Sequence, residues 1–99
     1  MTYNLHAWGT DHKIEIRKTT YANNGNLAIQ LFEIGEGPYA RLTVNLDKRL
    51  PMDMAFVDTN NCHWAEDWIQ DNGLGTPTGE VGYSGWCVYP LYKFNLDRL

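Results

Sequence analysis

Residues 57–68 read VDTNNCHWAEDW and set Asp58, Cys62, His63, Glu66 and Asp67 within one short window. Cys62 is a candidate nucleophile with His63 as its base. Adjacent helical positions point about 100° apart, so the two meet only if the first helical turn is irregular. A helix N-terminus lowers a thiol pKa and would keep Cys62 reactive; the plainer reading is a small residue near the cap. Zinc needs about four ligands in a tetrahedral array. Cys62, His63 and Cys87, with one of His6, His12 or Asp58, could supply them if the last strand passes near the helix start. No ligand pair has the usual short spacing, so Cys87 reads more simply as a buried strand cysteine and His63 as an exposed first-turn residue.

Asp58 could couple with Glu66 or Asp67 for acid–base work, or bind the amides of its own turn. Glu66 and Asp67 also suit the positive end of a helix dipole. His6 and His12 flank an early turn, where surface duty explains them. Tyr83, Trp86, Tyr89, Tyr92 and Phe94 form an aromatic group that could stack a base or a sugar, but no Lys or Arg stands beside its first members, and stacking on nucleic acid usually has that partner. Core and edge packing is the simpler role for this group, and Tyr83, Trp86 and Tyr89, where exposed, are candidate anchors for a protein surface. The glycines at 73, 75, 79, 82 and 85 are scattered, and none opens a helix after a strand as a phosphate loop requires.

These residues need elements to hold them. Ile14 and Ile16 alternate with Glu15 and Arg17 over Lys13–Thr19, a half-buried strand, which Tyr3–Trp8 can join across Gly9-Thr10-Asp11. Asn23-Asn24-Gly25-Asn26 supplies the next turn. Leu27–Ile34 is apolar on both faces, as in a central strand, and Gly35-Glu36-Gly37-Pro38 leads into the alternating Tyr39–Leu46. Asp47–Asp53 reads as a loop and Met54–Val57 as a short strand. In Asn61–Asn72, Trp64, Ala65, Trp68 and Ile69 share one side of a helix, with Asn60 or Asn61 as its cap. Gly73 ends it in the left-handed conformation, with Leu74 folding back onto Ile69. Gly75–Ser84 is polar and reads as a surface loop with some extended pairing. Trp86–Phe94 is a last strand in which Pro90 demands an edge or a bulge. The fold expected is α+β: an antiparallel sheet of about five to six strands with one helix, residues 61–72, packed on one face.

With 99 residues the chain fits a single domain, 1–99, able to bury roughly 65% of its unfolded surface in one core. Its 43% hydrophobic and 20% charged content marks an ordered globular protein. Two widely separated cysteines are neither a disulfide framework nor a zinc ribbon, and no signal-like or membrane-length apolar segment is present; a cytoplasmic location with free thiols is expected. The net charge of −4 is unevenly spread. No Lys or Arg lies between Arg49 and Lys93, where Asp53, Asp58, Glu66, Asp67, Asp71 and Glu80 give −6, while the flanks total +2. That stretch disfavours phosphate contact and suits a basic partner surface.

The segments LTVNL (42–46), AFVDTNN (55–61), WAEDWIQDNGLGTPTG (64–79) and SGWCVYPLYKF (84–94) resemble a family of small uncharacterised proteins carried by phages and integrative elements of gut Firmicutes. The resemblance covers roughly the C-terminal 60% of the chain and implies context rather than chemistry. Small acidic proteins of such elements often block host restriction or CRISPR nucleases. The expectation is a non-enzymatic accessory protein, without a cofactor, that acts by binding a host protein such as a nucleic-acid-processing enzyme, with no direct nucleic-acid or membrane binding, as a monomer or homodimer. The acids from Asp53 to Glu80 would form its binding face. The alternatives are a small hydrolase or transferase, or a metal-binding domain, using the Asp58/Cys62/His63 region, and a structural protein self-associating through the edge strand around Trp86–Phe94.

Overall fold

The computed structural model describes every residue from Met1 to Leu99. Instead of one sheet it builds two, each of four strands, with one short helix. The first sheet is an antiparallel run of β1 (Thr2–Ala7), β2 (Thr10–Thr20), β3 (Leu27–Glu33) and β4 (Gly37–Arg41), in that order. Its alternation is the expected one: Ile14 and Ile16 are buried while Arg17 is exposed beside half-buried Glu15. Trp8 (φ 55°) and Gly9 (φ 74°) make the two-residue β1–β2 turn. Positive φ at both central positions suits the twist of such a hairpin, but it is a strained conformation for an indole-bearing residue.

The second sheet contains β5 (Thr43–Val44), β6 (Met54–Val57), β7 (Gly75–Ser84) and β8 (Cys87–Phe94), in the order β5-β6-β8-β7. The alternating segment Tyr39–Leu46 is therefore not one strand. It breaks at Leu42, whose N–H donates to the Ile29 carbonyl (3.0 Å) while its carbonyl accepts from Asp58 N–H (2.9 Å). The Thr43 hydroxyl accepts from Ile29 N–H at 3.1 Å. Leu42 and Thr43, both fully buried, are the seam through which the chain leaves one sheet and enters the other. Satisfying buried backbone groups from both sides at this point outweighs continuing a single ladder.

The helix α1 (Ala65–Asp71) is shorter than the expected 61–72 and begins at Trp64 with no side-chain cap. Neither Asn60 nor Asn61 caps it. Instead the buried Asp58 carboxylate accepts from the Asn61 backbone (3.2 Å) and side-chain amide (2.9 Å), and Asp58 carbonyl accepts from Cys62 N–H (2.8 Å). These bonds wind residues 59–64 into turns rather than helix. The C-terminus follows the expected pattern: Gly73 has φ 65°, and Leu74 N–H reaches back to the Ile69 carbonyl at 2.9 Å. Ala65, Trp68 and Ile69 face the main core, where Leu5, Ile14, Ile29, Leu31, Val57 and Tyr92 gather from both sheets. The other face of the second sheet carries a smaller cluster of Phe56, Tyr89 and Leu91, covered by Leu46 and Leu50 from the 45–53 connection.

Gly75–Ser84, expected mainly as a loop, is a ten-residue edge strand. Its register slips between Pro77 and Val81, and Thr78 fixes the slip: its hydroxyl donates to the Leu91 carbonyl (3.0 Å) and accepts from Glu80 N–H (3.1 Å). Replacing Thr78 by Val keeps the β-branch and removes both bonds. Urea unfolding should show a loss of about 1–2 kcal/mol; an unchanged midpoint would mean that the bulge is held otherwise. Pro90 is tolerated because β6 pairs only with Leu91–Lys93. Strand β8 thus has β7 as its sole neighbour along Cys87–Pro90, which places Pro90 at an edge as expected, and is an inner strand along Leu91–Lys93, which corrects the reading of Trp86–Phe94 as an edge strand throughout.

Candidate functional site

The window of residues 57–68 does not assemble a catalytic pair. Cys62 is 3% exposed, and its thiol points to the Arg41 carbonyl at 3.7 Å. His63 is exposed, and its Nε2 is paired with the Asn60 carbonyl at 3.1 Å. Burial, with Asp58's charge as a lesser cause, pushes the Cys62 thiol up to about 11. This is the opposite of the lowering expected at a helix N-terminus, because Cys62 precedes the helix and is packed beneath it. Cys87 is half-buried on β8 against the smaller cluster. His6 pairs with Asp11 (2.6 Å) and His12 with Glu33 (2.8 Å), and no three His, Cys, Asp or Glu side chains converge as a ligand set. The gathering of Cys62, His63 and Cys87 that a metal site would require does not occur.

Two raised groups predict alkaline behaviour. Tyr92 is fully buried and is pushed up to about 12, first by burial and then by its bond to Glu66. Both Cys62 and Tyr92 hold their protons more tightly folded than unfolded, so their contribution is whole below their ordinary values of 9.0 and 10.0 and is lost as pH rises through the folded ones. The melting temperature should fall from about pH 9 to 12, and Cys62→Ala should flatten the first part of that fall. A melting temperature level across this range would refute it.

The six central acids do not make one face. Asp58 is 7% exposed and engaged in its turn. Glu66 accepts from the Tyr92 hydroxyl at 2.7 Å, and Gln70 donates to the same hydroxyl at 2.8 Å, so this trio ties α1 to β8. Asp53 sits at the rim of β6, 4.0 Å from Lys93. Only Asp67 and Asp71, one helical turn apart, and Glu80 on β7 are exposed. Asp67 and Asp71 line a shallow hollow of about 320 Å³ that also touches His6 and Trp64. Another hollow, of about 790 Å³, is lined by residues that include Gln70, Gly73, Lys93, Phe94 and Asp97, and neither Cys62 nor His63 lines it.

The clearest unspent surface is the β7–β8 hairpin. Cross-strand pairing places Val81 opposite Pro90 and Tyr83 opposite Val88 on one side, with Gly82 opposite Tyr89 on the other. Strand alternation then makes Val81, Tyr83, Val88 and Pro90 the outward continuation of the face that carries Tyr92 and Phe94 in the core. Val81 is 46%, Tyr83 71% and Val88 48% exposed, and Trp86 at the tip is completely exposed. The opposite face is closed: a Cβ on Gly82 would lie 2.5 Å from Leu46 Cδ1 and 2.7 Å from Phe56 Cε1. The hairpin is thus pinned from behind and bare in front.

Tyr83 and Trp86 keep their place as candidate anchors, and Tyr89 does not, because it is buried against Phe56 and Leu91. Val81 and Val88 were not among the residues singled out. Their signal is the alternation on both sides of Gly85-Trp86, a two-residue turn with positive φ at Gly85 only, which is the geometry glycine favours at the first turn position.

A family model described as a domain of unknown function (DUF4313) matches residues 14–99. The match starts well before residue 42, where the resemblance noted in the sequence begins. No curated protein and no solved structure matches the chain.

Proposed function

The chain belongs to the DUF4313 family, and from that premise we propose that it is a small non-enzymatic accessory protein that docks onto another protein through the β7–β8 hairpin. The observation that carries this reading is the uncovered apolar face of Val81, Tyr83 and Val88, with Trp86 fully in solvent at its tip. A rigid hairpin bearing exposed Trp and Tyr offers large contact area at low ordering cost, as interface anchors do. No Lys or Arg occurs from Leu50 to Tyr92, so the partner that fits presents an apolar pocket rimmed by basic residues.

A nucleic-acid-processing enzyme has such a rim along its channel. Together with the resemblance to phage and mobile-element proteins of gut Firmicutes, this supports a finer reading: an inhibitor of a host defence nuclease, acting in the bacterial cytoplasm. In this reading Trp86 and Tyr83 supply contact energy, while Asp67, Asp71 and Glu80 steer the approach. Affinity capture from host lysate with the intact chain, run beside Tyr83→Ala/Trp86→Ala, is the test. A nuclease retained by the first and lost by the second supports the inhibitor reading; the same proteins retained by both, or by neither at low salt, defeats docking through the hairpin.

A further inference from the structure

We infer that β7 pairs edge to edge with β7 of a second copy about a two-fold axis at Gly82, joining the two four-stranded sheets into one of eight strands. The inference is independent of the docking reading, since it concerns the rim of the hairpin rather than its face. Strand β7 is an outer strand of its sheet. In a hairpin with a two-residue turn the flanking pair, here Ser84 and Cys87, exchanges both hydrogen bonds, and bonded and non-bonded pairs then alternate. Gly82 and Tyr89 form the next bonded pair, so the N–H and C=O of Val81 and Tyr83 point away from β8 into solvent.

That spacing is self-complementary. In an antiparallel pairing centred on Gly82, Val81 faces the second copy's Tyr83 and Tyr83 its Val81, and the outward groups of these residues form four hydrogen bonds. Gly82 meets Gly82 at the intervening non-bonded site, where backbones approach most closely. The side-chain result is two β-branched–aromatic cross-strand pairs on the bare face, a favourable combination. Glu80 falls opposite Ser84 rather than its own copy, so no like charges stand directly opposed.

The ladder also has built-in ends. Pro77 has no donor, and Gly79, at φ 89°, and the register slip before Val81 bend the strand away, which confines pairing to about residues 80–84. A two-fold contact that uses the same edge twice closes at the dimer instead of growing into a fibre. It leaves Trp86 and the outer face of Tyr83 open, so the dimer would present two docking faces side by side. The contact falls below the roughly 1,200 Å² of a standard stable interface, which makes the expected Kd on the order of 0.1–1 mM.

The test follows the full chain by sedimentation velocity and by amide NMR across that concentration range. The expected result is a reversible dimer, with concentration-dependent shifts at the Val81 and Tyr83 amides and steady protection at Gly82 and Ser84. Val81→Pro removes an outward donor that β8 does not use, as edge strands tolerate, and should weaken the dimer at least about tenfold. Val81→Lys keeps every backbone donor and charges the edge; it serves the same purpose if the proline variant fails to fold. A monomer throughout the range, or a dimer that survives in a folded edge variant, overturns the inference. Partner capture is run on dilute chain, so its outcome is read separately.

Discussion

Replacing Trp68 by alanine is expected to lower the unfolding free energy by about 3–5 kcal/mol, the range for deleting a large aromatic from a core. Trp68 is 6% exposed and is the largest buried side chain of the only α-helix. Its indole packs edge-on to Tyr3 (6.3 Å, 85°) and Trp64 (5.8 Å, 86°), and its N–H donates to the Asn4 carbonyl at 2.8 Å. Alanine would leave a cavity between α1 and β1 and strand that carbonyl. A domain of this kind has about 5–15 kcal/mol in total, so the variant should lose most of its cooperative transition in urea, followed by far-ultraviolet circular dichroism. Trp68→Phe keeps the aromatic contacts and loses the N–H; a loss of about 1–2 kcal/mol is expected from the hydrogen bond. Equal losses for the two variants would mean that the hydrogen bond, rather than packing, anchors the helix.

How much of this was legible beforehand depends on whether an element is decided locally or by its neighbours. The first three strands could be read because Ile14 and Ile16 alternate with polar residues and because Gly9, Gly25 and Gly35 punctuate the turns with positive φ. The break at Leu42 could not, since Ala40, Leu42, Val44 and Leu46 keep perfect period-two spacing through it. Only the seam to Ile29 and Asp58 reveals it. Strand β7 was hidden for a different reason: its polar, Gly- and Pro-containing sequence has little strand preference, and pairing with β8 decides its state. At the helix start Asn60 and Asn61 have good capping chemistry, but Asp58 reaches the turn first with a charged acceptor. In the candidate site the aromatic types were visible and their directions were not. Once β7 is known to be a strand, the register alone separates exposed Tyr83 from buried Tyr89.

The same separation makes the binding prediction sharp. Tyr83→Ala/Trp86→Ala should reduce affinity for the captured partner at least about 100-fold, since truncating a central Trp or Tyr commonly costs 2 kcal/mol or more. Isothermal titration calorimetry or biolayer interferometry can read the change. Stability should stay within about 0.5 kcal/mol, because both side chains are exposed and leave no cavity; this is the opposite of Trp68→Ala and removes unfolding as an explanation. Asp67→Lys/Asp71→Lys, on the exposed side of α1, should act differently. Reversing rim charges slows association and flattens its salt dependence while leaving dissociation nearly unchanged. If the helix charges governed dissociation and the aromatic pair did not, the partner would be gripping α1, and the bare face of the hairpin would need another explanation. With Trp86 completely in solvent and the rear of its hairpin closed by Phe56 and Leu46, the dissociation rate is expected to follow the aromatic pair.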